Sequence, residues 1–449
     1  MIINGQRRLT TVSLLLLAMY RLLKSGAVVS SDRALMRRFY ENYLVDKYAP
    51  DETRLKLKPI QNDREAFQRL FSEDQPLIPA SKLTANYRYF YERIQRREIT
   101  VDQLFDAIFR LEIINITHNH DDNPQLIFES LNSIGLGLSE GDKIRNFVLM
   151  DLSVSMQEKY YQLFWKPIER CVGYQTDLFI RDDLSVQKQD TPNLNHVYFA
   201  FKEYAEKLDR EALLNELLAY ARLYAVLLGA GSGDCVLDAC IARLNRLETS
   251  VTRPFLLEVL RKNREGGLSG ADTRRIFFVV EAYLFRRMIC DLPTNALNKI
   301  FLMLNREIVR LDGTDAQYAE KLIYTLTAKR ERSRFPSDEE FIAAFVEKDI
   351  YQMNARGKAY FLERLENHRT LETKPIWQML SEGVYTIEHM MPQHLPPAWR
   401  SAFGDDYEAI HDKWLHKAAN LTLTAYNAKY GNQPFQEKRD MKNGFREAE

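Results

Sequence analysis

Apolar residues recur at helical spacing along most of the chain. Residues 9–25 (LTTVSLLLLAMYRLLKS) carry such a face and close before Gly26, a residue type that stops helices. The same spacing predicts helices over 63–73, 81–94, 100–111, 138–150, 198–228, 236–248, 253–263, 271–290, 294–311, 314–330, 337–348 and 356–367. Strand-like patterning is confined to the opening MII, LEIINIT at 111–117 and VYTI at 384–387. A mainly α chain is expected. Two polar stretches interrupt the pattern as candidate boundaries. One lies in 170–195, which includes RDDLSVQKQDTPNLN, and the other is AKRERSRFP at 328–336. After the second, Ser337 and Glu340 are spaced as a capping box that opens a new helix.

The length of 449 residues fits about three domains, with ample core. Lysine plus arginine equals aspartate plus glutamate at 62 each, which excludes a globally basic nucleic-acid coat and leaves only local patches. The four cysteines, Cys171, Cys235, Cys240 and Cys290, form no C-x-x-C pair and have no histidine at zinc spacing. Sparse thiols suit a reducing, cytoplasmic setting. The longest apolar run, Leu14 to Tyr20, is far short of the ~20 residues that span a bilayer and reads as a buried helix. No membrane partner is expected.

The densest chemistry lies near the C-terminus. VYTIEHMMPQ (384–393) sets Glu388 and His389 at the end of a strand-like run, followed by Pro392. Asn420 stands 31 residues after His389, in ANLTLTAYN, and Asn427 follows seven later. GNQPFQEK (431–438) then opens a final helical stretch. A strand bearing E-H, a second strand at N-L-T-L and a helix carrying Asn427 would make a ββα-metal hairpin. Such a unit gathers an acid, an imidazole and an amide around one divalent cation. Phosphodiester hydrolysis needs that set: a base near neutral pKa to take a proton from water, and a hard cation for the charge on phosphate. Glu388 and Asn427 offer the oxygen ligands that Mg²⁺ or Mn²⁺ accepts. Residues 413–446 also hold seven Lys/Arg (Lys413, Lys417, Lys429, Lys438, Arg439, Lys442, Arg446) against Glu437 and Asp440, an excess suited to a phosphate backbone.

This constellation resembles the HNH, or His-Me finger, nuclease motif. The E-H-x-x-P-Q, N-L-T-L and PF-x-x-K run is similar to the C-terminal domain of GmrSD-type restriction endonucleases. The resemblance implies His389 as general base, Glu388 and Asn427 as metal ligands, Asn420 as support for the base, and Lys438 as a phosphate or DNA contact. His394, His411 and His416 match nothing in that pattern and read as surface or loop histidines. His118-Asn119-His120 lies in a polar loop and spells HNH by accident.

NGQRRLTT (4–11) follows an apolar MII and precedes a helix. Gly5 permits close backbone approach, Arg7 and Arg8 supply charge, and Thr10 and Thr11 are candidates for the helix N-terminus, where free amides favour anions. The stretch resembles the D-G-Q-Q-R motif of the same family, whose ParB-like domain binds nucleoside triphosphates. It implies Asn4, Gly5, Gln6, Arg7, Arg8, Thr10 and Thr11 as the nucleotide-binding set. Asn4 replaces the family's aspartate and Arg7 its second glutamine, which puts hydrolysis in question while sparing binding. Residues 123–150 (NPQLIFESLNSIGLGLSEGDKIRNFVLM) resemble the end of that domain, with Asn132, Asp142 and Arg145 as polar candidates whose turn and capping roles weigh equally. GAGSGD (229–234) mimics a phosphate loop but follows a helix and lacks the lysine, so it reads as a turn.

The resemblance implies a mainly α chain with a small α+β ParB-like part at 1–152, a helical middle at 153–335 and a ββα-metal nuclease domain at 336–449. Both ends look shortened against the family. The expected function is a metal-dependent DNA endonuclease of the restriction, phage-defence type, regulated by nucleotide. DNA, modified in the family's manner, is its partner, and a homo-oligomer is compatible with the sequence. The alternative is a non-catalytic, nucleotide-regulated DNA-binding or assembly protein of the same descent. A second rival is a nucleotide hydrolase whose nuclease domain only binds.

Overall fold

Residues 6–50, 54–57, 59, 61–72, 74–112, 139–150, 152–247 and 250–447 are described by a computed structural model. Among them helices predominate, and a single two-stranded sheet lies near the C-terminus. The chain divides into two compact units, Met1–Gly137 and Leu138–Glu449.

In the first unit the helix Gln6–Lys24 buries Leu14, Leu17 and Leu22 in one core with Phe67, Ile94 and Phe105 from the helices Gln61–Phe71, Lys82–Gln95 and Val101–Phe109. Gly26, at φ +72°, ends the first helix in the left-handed conformation that glycine adopts freely. Arg21 donates to the carbonyls of Phe71 and Ser72, both at 3.1 Å, a cation set at the C-terminal end of Gln61–Phe71. The strand-like MII and most of LEIINIT lie outside the described residues.

The second unit is a stack of helices around a large apolar core. Residues 170–195, expected as a boundary, instead contribute the helix Thr176–Lys188, with Phe179, Ile180 and Leu184 fully buried. The acidic run misleads because two of its aspartates face inward: Tyr224 donates to Asp182 at 2.9 Å, and Asp183 is buried beside it. The helix expected over 198–228 is two, Val197–Ala205 and Arg210–Leu227, because Asp209 caps the second by accepting from the Ala212 N–H. GAGSGD joins Arg210–Leu227 to Cys235–Arg246 as a turn, and Asp234 caps the following helix.

Asp183 Oδ1 has no hydrogen-bond partner, and burial, helped by Glu216 and Asp182, pushes its carboxyl up to about 8. The folded chain thus keeps a proton that the unfolded chain releases near pH 4, so stability drains as pH rises from about 4 to about 8. Asp183→Asn is expected to melt higher than the parent. The gain should widen by up to about 1.4 kcal/mol per pH unit across that window and level off above it, as thermal melts at several pH values will read.

The segment 328–336 is not loose. Tyr283 donates to the Ser333 carbonyl at 2.7 Å, Arg286 to Pro336 at 3.0 Å, and Arg287 to Arg332 at 2.8 Å. All three donors lie on the helix Gly270–Ile289. Ser337 then caps Asp338–Glu347 as expected, accepting from the Glu340 N–H, but the Glu340 carboxylate pairs with Arg334 rather than completing a capping box. The helix Ala355–Glu366 is tied to the stack through buried charge. Glu281 accepts from Arg243 at 2.6 and 2.9 Å and from Tyr360 at 2.8 Å, while Arg246 pairs with Glu363. Burial works to raise the Glu281 carboxyl, and Arg243 overcomes it, holding the group below its usual range.

Candidate active site

Two short strands, β1 (Thr386–His389) and β2 (Leu421–Thr424), pair antiparallel with Ile387 opposite Leu423, Glu388 opposite Thr422 and His389 opposite Leu421. Paired residues share a face and successive residues alternate. Ile387, His389, Leu421 and Leu423 therefore face one side, and Ile387, Leu421 and Leu423 pack there with Ile289, Ile350 and Phe361. Glu388 leaves by the other side.

His389 is 5 % exposed. Its ring meets Tyr351 edge-on at 4.4 Å between centroids and lies 5.6 Å from the ring of His416. Nδ1 lies 3.3 Å from Gln393 Nε2, and Nε2 is buried with no partner. Burial pulls the imidazole down to about 4, with His416, Lys438 and His411 acting in the same direction. The ring is thus neutral at physiological pH, the form that accepts a proton.

The chain after β1 is clamped. Asn420 accepts from the Met391 N–H at 2.6 Å and donates to the carbonyls of Met391 at 3.0 Å and Leu415 at 2.9 Å. The Met390 N–H donates to the Asn420 carbonyl at 2.9 Å, and His411 donates from Nε2 to Pro392 at 3.0 Å. These bonds fix the backbone that carries His389.

On the other side, Glu388 is buried and its Oε1 accepts from Lys438 Nζ at 2.6 Å. Burial pushes the Glu388 carboxyl up, and Lys438 opposes that. Lys438, from the helix Phe435–Asp440, is fully enclosed, so the expected contact with a DNA phosphate gives way to an internal ion pair. Asn427 opens the short helix Asn427–Tyr430 and donates from Nδ2 to the Ile387 carbonyl at 3.1 Å, which sets its amide beside β1. Its Oδ1 makes no hydrogen bond among the described residues.

Comparison with known families decides the kinship. The model for the C-terminal domain of GmrSD restriction endonucleases matches residues 335–447, and that for the N-terminal domain matches 1–149. The chain belongs to the GmrSD restriction endonuclease family. No curated protein matches it. GmrSD proteins are restriction nucleases of the phage-defence type, with DNA as partner and typically divalent metal ions. The whole hairpin, both short helices after it and Tyr351 lie inside the GmrSD C-terminal match.

Among the described residues no group of three or more His, Cys, Asp or Glu could hold a metal. The donors nominated from the sequence are the buried Glu388 carboxylate, which Lys438 already holds, and the amide oxygen of Asn427. That donor set fits a hard cation that keeps several waters and takes substrate phosphate, not a closed zinc cage. In the N-terminal GmrSD match, Asn4 and Gly5 lie outside the described residues. Arg8 is exposed on the helix Gln6–Lys24, and Thr10 and Thr11 fall past its first turn, where their N–H groups are internal to the helix rather than free for an anion. Asn132 and His118 to His120 lie outside the described residues, while Arg145 pairs with Asp142 at 2.9 Å and with Glu169 at 3.4 Å.

Of the seven C-terminal cations, four have acidic partners: Lys417 with Asp349, Lys438 with Glu388, and Arg439 and Arg446 with Asp440. Lys413, Lys429 and Lys442 are exposed and have no acidic partner among the described residues. The residues that sequence reasoning missed are Tyr351 and His416, stacked at 5.5 Å, and Gln393. His416 is not a surface histidine; its Nδ1 is buried without a partner. No helix among the described residues is long and apolar enough to cross a membrane.

Proposed function

We propose that this GmrSD chain is a metal-dependent DNA endonuclease of His-Me finger type, with β1, β2 and the helix at Asn427 as its ββα unit. The observation that carries this reading is a buried, neutral His389 with an unpartnered Nε2, one residue from the buried carboxylate of Glu388. His389 takes a proton from the attacking water, and Asn420 holds the backbone beneath it. Glu388 and Asn427 would hold one Mg²⁺ or Mn²⁺, which when bound supplies neutralisation of the charge that grows on phosphate and leaving oxygen. On this reading His389 and Glu388, which leave the end of β1 on opposite faces, must both reach one phosphate bound at that strand end. The N-terminal domain, of ParB-like type, binds nucleotide through Asn4 to Arg8 and regulates cleavage. The chain is divided, on this reading, into 1–152, 153–335 and 336–449.

Nicking of supercoiled plasmid by the full chain with Mn²⁺ or Mg²⁺ tests the proposal. Cleavage is expected to stop with EDTA and to fall by ~100-fold or more in Glu388→Gln, since this carboxylate is the one charged donor assigned to the cation among the described residues. Glu388→Gln cutting as fast as the parent would sink the metal assignment. A parent that binds DNA but never cuts would return the non-catalytic, nucleotide-regulated reading.

A further inference from the structure

Lys438 is the least exposed charged side chain of the hairpin region. An ammonium carries three protons, and three acceptors meet it: Glu388 Oε1 at 2.6 Å and the carbonyls of His389 at 3.1 Å and Met390 at 3.3 Å. Every donor is engaged inside the protein, so the lysine has nothing left for a phosphate. It sits, however, on the one carboxylate assigned above to the metal. We propose that Lys438 is a resident cation that holds the bare site's affinity for a divalent ion low, so that the ion binds firmly only when a DNA phosphate adds its charge. This rests on the assignment of Glu388 in the preceding section.

The argument is a charge count. Glu388 brings one negative charge, Asn427 only a dipole, and Lys438 cancels the carboxylate from the Oε1 side. The protein's share of the site is therefore neutral in total. A divalent ion on the remaining oxygen would face the ammonium across a single carboxylate. That repulsion is large at the effective dielectric of a protein interior. Cation affinity in oxygen sites is tuned by the number of ligand charges. A phosphodiester arriving at the site supplies the missing negative charge. Lys438 is in this sense a positioning residue: it fixes Glu388 and the backbone of His389 and Met390, and it sets when the cation can stay.

A purely structural lysine predicts that its removal leaves cation binding unchanged or weaker; a resident cation predicts a gain. The test is Mn²⁺ affinity of the full chain, read by the paramagnetic signal of free Mn²⁺, with Mn²⁺ taken up by DNA alone subtracted. Without DNA, Lys438→Met and Lys438→Gln are expected to bind at least about tenfold more tightly than the parent, and Lys438→Arg to stay weak. In a His389→Ala background, a short duplex is expected to tighten Mn²⁺ on the otherwise unaltered chain by about tenfold or more, and to do less for Lys438→Met. No gain in folded Lys438→Met or Lys438→Gln overturns the proposal. If those variants do not fold, the duplex arm decides it: Mn²⁺ affinity indifferent to DNA overturns it equally. Mn²⁺ uptake unaffected by Glu388→Gln would instead remove the metal assignment itself.

Discussion

Plasmid nicking by His389→Ala is expected to drop by at least ~100-fold and by as much as ~10⁴-fold, the range for losing a general base. The side chain makes no bond on which the hairpin depends: its Nδ1 meets only Gln393, which is exposed, and its Nε2 meets nothing. The variant loses the packing of the ring on Tyr351 but no hydrogen bond within the strand pair, so it is expected to fold with reduced stability and still bind DNA, separating chemistry from recognition. The pH profile gives an independent reading. Because the imidazole is held down to about 4, it stays in its proton-accepting form from pH 8 down to about 5. The acid limb of the cleavage rate is expected well below the value near 6.5 of an ordinary histidine. A rate equal to the parent's in His389→Ala would remove the residue from the mechanism, and an acid limb at 6.5 would mean that the working ring is more solvated than the structure has it.

Asn420→Ala should destabilise the second unit by about 3–5 kcal/mol and abolish nicking. The amide satisfies three backbone groups, two buried on Met391 and one half-buried on Leu415. Each left unmade costs about 1–3 kcal/mol. The chain freed is the one that leaves β1 directly after His389. Asn420→Asp separates shape from donor capacity. It retains the acceptor for the Met391 N–H but presents a carboxylate to two carbonyls, and should be nearly as damaging. Urea or thermal unfolding followed through the second unit measures the stability, and a loss under 1 kcal/mol for Asn420→Ala would show that the clamp is dispensable.

Much of this was legible in the chain. The helix at 9–25, the turn at GAGSGD and the hairpin with its E-H and N-L-T-L strands follow from local period and turn chemistry, and the structure has them. What was not legible depended on distance along the chain. The stretch with Asp182 and Asp183 read as a boundary because nothing nearby announces Tyr224, which donates to Asp182. The resemblance implied a phosphate contact for Lys438 because a motif carries the residue's charge and not its enclosure. His416 gained its place beside His389 through pairing with a segment far upstream, where the Tyr351 N–H donates to the His416 carbonyl at 3.3 Å. Periodicity reports what a residue faces, and only the fold reports which residue it faces.

The pinning of 328–336 onto Gly270–Ile289, with Tyr360 and Glu363 locked to Glu281 and Arg246, has an evolutionary corollary. A hairpin attached in this way is poorly suited to transfer as a cassette between unrelated hosts. Transplanted alone, it would leave Glu281 facing Arg243 without Tyr360 and would bare Phe361 and Ile350, which share a core with Ile289. Separating the hairpin from the helix Gly270–Ile289 is therefore expected to cost both parts part of their core.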